Sequence, residues 1–132
     1  MNVTFIAHSA FLVEWDKFYT LFDYTYEPDY TGALPELSGD KPLLVFSSHS
    51  HEDHFDAKVF TLLEKYPDAR FFVSRDTRLT ERKRQWLNIS DEAFARMTVL
   101  RPDSILLTDV AGEDLSIRAI KSTDIGNAYL LR

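Results

Sequence analysis

Cysteine is absent from the 132-residue chain, which excludes disulfides, iron–sulfur clusters and thiolate zinc sites. Glycine and proline are sparse, at four and five residues, and no repeat, linker or low-complexity tract stands out. Long hydrophobic runs are missing too. Wholly apolar stretches reach only four residues, as at 43–46, far short of the roughly 20 that a bilayer-crossing helix needs. The N-terminus has no basic region, and His8 and Glu14 interrupt its apolar stretch, unlike a secretory signal. Basic charge is in deficit, with 15 Lys and Arg against 21 Asp and Glu, a net charge of -6. A basic field is what binds a phosphate backbone, so nucleic acid is a disfavoured partner. The expectation is a cytoplasmic protein with no membrane association.

What is present fits one globular domain. Hydrophobic residues make up 45% and charged residues 27%, a balance that supports a packed core at this length. Residues 3–6, 10–15 and 18–22 read as strands, with Asp16 and Lys17 at the turn between the last two. A tyrosine-rich loop follows over residues 24–40, and both a lid and a packed surface loop fit its length. Residues 43–46 have the pattern of a strand buried on both faces. Asp56 is placed to cap a helix whose apolar residues Val59, Leu62, Leu63 and Tyr66 recur at helical spacing until Pro67. Residues 70–74 form the next strand, completing a βαβ unit with parallel pairing.

Residues 79–87 read as a helix with a basic face of Arg78, Arg82, Lys83 and Arg84, taken as a solvated face. Ser90 caps a short helix that ends near Met97. Strands are expected at residues 98–100, 105–108, 115–120 and 128–131, separated by polar turns.

Three of the four histidines fall within six residues, together with Asp53. Imidazole and carboxylate suit zinc, iron or manganese without any thiolate. His49 and His51 lie two apart, so extended backbone projects them to one side, where they can grip one ion. Asp53 and His54 follow at the turn into the helix, where a second ion fits a few Å away. Neighbouring imidazoles also discourage one another's protonation, which keeps them free as ligands near neutral pH.

The run His49-Ser50-His51-Glu52-Asp53-His54 after a buried strand resembles the H-x-H-x-D-H motif of the metallo-β-lactamase-fold hydrolases. Ala7-His8-Ser9-Ala10-Phe11-Leu12-Val13 is similar to the G-H-x-S/A opening of their UlaG-like branch, with Ala7 in place of glycine. Leu21-Phe22-Asp23 matches the strand-ending aspartate before the histidine loop. The resemblance implies an α/β fold: the first half of a metallo-β-lactamase αβ/βα sandwich, a mixed sheet with flanking helices, spanning residues 1–132. It implies one or two divalent metal ions, zinc first and manganese or iron next, that activate water against an ester, lactone, amide or phosphodiester. The alternative is a non-catalytic metal-binding or structural fragment of that fold.

Carried over by position, His49 and His51 hold the first ion, and Asp53 and His54 the second. Asp53 also takes the proton of the attacking water. Asp23 orients the loop from behind, and His8 lines the pocket as a substrate or proton-transfer group. The family's third histidine for the first ion has no counterpart in residues 120–126. Asp124 is the hard oxygen ligand available there, which shifts preference toward manganese, iron or magnesium; an Asx-type turn before Gly126 is its other reading. The expected partners are a small-molecule substrate and either a second copy of the chain or a completing second-half segment. Residues 128–131 are taken as the opening of a second sheet, so the first sheet's apolar face is expected to lie bare.

Overall fold

The computed structural model describes all 132 residues. Its main sheet has six strands in sequential order: β1 (Asn2–Ala7), β2 (Ala10–Glu14), β3 (Tyr19–Phe22), β4 (Leu43–Ser47), β5 (Arg70–Ser74) and β6 (Met97–Leu100). The first three pair antiparallel, and β3 through β6 run parallel. The expected mixed sheet and βαβ unit are therefore both present.

Every residue of β4 is buried. Its alternation explains why: Leu43 and Val45 join the core on the helix side, while Leu44 and Phe46 join the core on the other face. Successive side chains of a strand point to opposite faces, so a strand covered on both sides reads as a continuous apolar run.

The segment after the histidine loop winds first as a tight 3-10 turn, Ala57–Thr61, and only then as α1 (Leu62–Lys65). The Asp56 carboxylate accepts from Lys58 N–H at 2.9 Å, so the predicted cap forms on a tighter turn than an α-helix. Val59, Leu62, Leu63 and Tyr66 are all buried as their spacing requires. The next helix, α2 (Glu81–Trp86), starts later than the sequence pattern suggests, because Thr80 caps it and buried Leu79 stays outside. Arg84 pairs with Glu81 and with Asp91, and Lys83 donates to Thr77 O at 2.6 Å. Ser90 caps α3 (Asp91–Ala95) through Ala93 N–H. The structure contains no helix long and apolar enough to cross a membrane.

One expectation is corrected. The second sheet does not open at residues 128–131 but comprises three antiparallel strands, β7 (Ile105–Val110), β8 (Glu113–Lys121) and β9 (Asn127–Leu131). The left-handed pair Ala111 and Gly112 (φ 54° and 78°) turns β7 into β8, a geometry that matches the twist of a tight hairpin. Local pattern shows that these segments are strands, but only the pairing shows which sheet they enter. Val110, Leu115, Ile117 and Ala119 pack onto Leu44, Phe46 and Phe72, so the first sheet's face is covered from β3 to β6. What stays exposed is a strip on β1 and β2: Val3 at 60%, Phe5 at 61% and Phe11 at 39%.

The tyrosine-rich loop is packed. Tyr24, Thr25 and Leu37 are buried, and Gly32 lies so close to β1 that a Cβ there would stand 2.8 Å from Ile6 O. Tyr24 donates to Gly32 O at 3.1 Å, which closes the loop on itself beside that strand.

Candidate metal centre

The site lies where loops leave the carboxyl ends of β3, β4 and β5, the position where open α/β sheets form a crevice. Asp23 follows β3, the run Ser48–His54 follows β4, and Asp76 follows β5. His8 reaches in from the turn between β1 and β2, and Asp124 from the turn between β8 and β9.

Asp23 is the hub. Its Oδ1 accepts from Ser48 N–H at 2.7 Å, and its Oδ2 accepts from the Ser48 hydroxyl and from His54 Nδ1, each at 2.8 Å. The Ser48 hydroxyl also meets His49 Nδ1 at 2.9 Å. A hydroxyl has one proton, and Ser48 gives it to the Asp23 carboxylate, so His49 Nδ1 is the donor in that contact. One carboxylate thus fixes Nδ1–H on His54 directly and on His49 through Ser48. Both rings then present Nε2 to the crevice, the arrangement that a carboxylate behind a ligating histidine produces.

The other supports are distant in sequence. Thr25 donates to Glu52 O at 2.8 Å, and Asp76 accepts from Ser50 N–H at 2.8 Å. Asn127 N–H donates to Ser48 O at 2.8 Å. Phe55 N–H closes a turn onto His51 O at 2.8 Å, which swings His54 back beside His49. Their ring centroids stand 4.0 Å apart, and those of His49 and His51 stand 4.6 Å apart. Gly126 packs on this loop so tightly that a Cβ would stand 2.2 Å from Ser48 O.

Two donor groups result. His49, His51 and Asp124 each bring a ligand atom within 4.8 Å of the others, and so do His8, Asp53 and His54. In the second group Asp53 Oδ2 lies 3.0 Å from His8 Nε2 and 3.3 Å from His54 Nε2. The first is looser, with His51 Nδ1 4.0 Å from Asp124 Oδ2. All the residues singled out in the sequence come to this one crevice. Thr25 and Asp76 were missed: each acts across the fold on the loop's backbone, and neither lies in a motif.

Charge within the crevice is uneven. The hydrogen bond to Asp23 raises the His54 pKa above its ordinary value, against the pull of burial, and the Asp23 and Asp53 charges add to it. Burial lowers that of His49, helped by His54 and His51. Mutual discouragement of protonation therefore holds for His49 and fails for His54, which sits between two carboxylates. Burial would raise the Asp53 carboxyl, but the His8 hydrogen bond and the His54 charge outweigh it and hold the group low. With Nδ1–H committed to Asp23, a neutral His54 would aim a bare Nε2 at Asp53 Oδ2. Two lone pairs at 3.3 Å repel, so the position calls for a proton or a cation.

His8 and Asp23 both have left-handed backbone, each with φ 48°. Non-glycine residues are uncommon there, and such strain, about 1–3 kcal/mol per residue, clusters where a side chain must be aimed.

No protein-family model matches the sequence, and no curated protein matches it either. Solved structures do. Igni18, described as a novel metallo hydrolase from the hyperthermophilic archaeon Ignicoccus hospitalis KIN4/I, superposes with a TM-score of 0.63 at 20% identity. The match covers 98% of this chain and 55% of Igni18. A protein of unknown function from Enterococcus faecalis V583 superposes with a TM-score of 0.55 at 16% identity, covering 96% of this chain and 38% of its own. At these identities the likeness is one of fold. The chain shares its fold with part of the Igni18 structure and spans about half of that protein's length.

Proposed function

We propose that this chain is a metal-dependent hydrolase domain of the metallo-β-lactamase type, with the UlaG-like opening carried by His8-Ser9-Ala10. The observation that carries this reading is the convergence of two His/Asp donor groups on one crevice. The donor set fits divalent metal: imidazole and carboxylate atoms stand 3.0–3.3 Å apart in the tighter group, and the other ring nitrogen of His54 is already committed to Asp23. Zinc suits these ligands best, and the carboxylate-rich composition also accommodates manganese or iron. When bound, such ions would lower the pKa of water to about 7, which makes hydroxide available at neutral pH.

The chain's own residues supply the rest. His49, His51 and Asp124 form one cradle, and Asp53 with His54 the core of the other. Asp53 stays ionised near neutral pH, so its carboxylate is available to accept the proton of the attacking water. Asp23 and Ser48 keep the rings aimed while charge builds up. Asp76 and Thr25 hold the loop backbone that carries them. The crevice opens to solvent at His51 and Asp124, whose side chains are 55% and 74% exposed, so substrate would enter on that side. An ester, lactone, amide or phosphodiester of a small molecule is the substrate class.

The test is hydrolysis of a panel of chromogenic esters, lactones, amides and phosphodiesters by the chain loaded with zinc, manganese or iron, and again after chelation. Turnover that appears with metal and vanishes on chelation is expected. Bound metal without turnover on any of these classes would overturn the hydrolase reading and leave a metal-binding chain.

A further inference from the structure

We infer that His8 is a metal ligand, completing with Asp53 and His54 a three-residue site separate from the one formed by His49, His51 and Asp124. The inference rests on the metal-dependent reading above and deepens it, because it gives His8 a role at the ion rather than at the substrate.

Distance is the first argument. Ligand atoms bonded at about 2.0–2.1 Å around a tetrahedral zinc stand about 3.3–3.4 Å from one another. His8 Nε2 and Asp53 Oδ2 are 3.0 Å apart, Asp53 Oδ2 and His54 Nε2 are 3.3 Å apart, and all three donors lie within 4.8 Å. Both Asp53 contacts thus already stand close to the spacing of ligands on one ion, whereas the His51–Asp124 pair of the other group is wider, at 4.0 Å.

The second argument is how His8 is held. It occupies the first position of a two-residue turn between the paired residues Ala7 and Ala10, with φ 48°. Glycine is the usual choice there, and side-chain-bearing residues are uncommon at positive φ, histidine being one of the few that tolerate it. Its ring packs on Tyr30, with centroids 4.8 Å apart, so the packed tyrosine loop fixes its direction toward Asp53. A histidine needed only to fill space at a hairpin tip would gain nothing from this arrangement.

The third argument is chemical. Two imidazole nitrogens and one carboxylate oxygen, from the β1–β2 turn and the histidine loop, form a triad that leaves coordination positions open for water or substrate. Asp23 Oδ2 stands behind His54 at 2.8 Å, so the site already has the outer carboxylate that strengthens a histidine ligand.

The experiment compares the wild-type chain with His8→Gln, His8→Ala and His51→Ala, each stripped of metal and titrated with zinc and with cobalt(II), whose absorption reports its ligands. Glutamine can still donate to Asp53 but is a poor ligand, so it separates ligation from hydrogen bonding. His8 is 44% exposed, and unchanged circular dichroism will confirm that the variants fold. Both His8 variants are expected to weaken one class of metal sites by at least about 100-fold and to change the cobalt spectrum of that class. The His51 variant should weaken the other class. Wild-type isotherms and spectra for His8→Gln, beside a loss in His51→Ala, would overturn the role of His8 alone. No metal binding by the wild-type chain would overturn this inference together with the reading beneath it.

Discussion

His54 Nδ1 and Asp23 Oδ2 lie 2.8 Å apart, on residues that follow two adjacent parallel strands. The pair joins the first sheet to the histidine loop, and it sets which nitrogen of His54 faces the crevice. Asp23→Asn tests it with little backbone disturbance, since asparagine also tolerates the left-handed conformation of this position. The variant is expected to fold and to bind zinc about 10–100-fold more weakly, the usual effect of removing a carboxylate behind a histidine ligand. Calorimetric titration of both chains measures this.

The same pair sets a pH dependence in the metal-free chain. Asp23 raises the His54 pKa, while burial lowers that of His49. The His54 contribution to stability is complete below the ordinary histidine value of about 6.5, and it is lost as pH rises through the raised folded value. His49 acts in the opposite sense: its contribution is present above about 6.5 and lost as pH falls through its depressed value. NMR titration of the ring signals should show His54 titrating at higher pH than His49, with Asp23→Asn bringing His54 down. The reverse order would contradict the assignment.

Gly126 separates strain from collision. Its φ of 79° and the 2.2 Å and 2.6 Å approaches of a Cβ to Ser48 O and His49 Cβ leave alanine no room. Gly112 has φ 78° with nothing within 4 Å, so it carries the conformational penalty alone. Gly126→Ala should cost clearly more than the roughly 1 kcal/mol expected of Gly112→Ala, and should also weaken metal binding by displacing the histidine loop. Thermal unfolding of the two variants side by side gives the comparison.

Much of this site was readable from local pattern. The clustered histidines, the strand before them and the Asp56 cap all lie within about a dozen residues, and Val59, Leu62, Leu63 and Tyr66 declared the buried helical face. Contacts across the fold were not readable. Thr25 supports Glu52 from 27 residues away, and Tyr129 donates to Ser47 O from 82 residues away. The second sheet was misplaced for the same reason, because residues 105–110 and 113–121 look like any alternating strands until their partners are known. The left-handed turns of His8 and Asp23 carry no glycine to announce them.

The uncovered strip on β1 and β2 bears on association. Phe5 and Phe11 lie tilted against each other, with centroids 5.3 Å apart, beside the part of the sheet that the second sheet covers. Exposed contiguous apolar surface of this kind marks contact sites, and we expect a second copy or a completing segment to cover it. Sedimentation of the isolated chain at micromolar concentration should show self-association that Phe5→Ser reduces. A wild-type chain sedimenting as a monomer would contradict this.

The most direct test of the metal centre is anomalous scattering from crystals of the chain soaked in zinc. The account predicts two peaks in the crevice. One lies between His49, His51 and Asp124, the other between His8, Asp53 and His54, with ligand distances of about 2.0–2.2 Å. A zinc-soaked crystal with no peak among these six residues, or with zinc held only elsewhere on the surface, would contradict it.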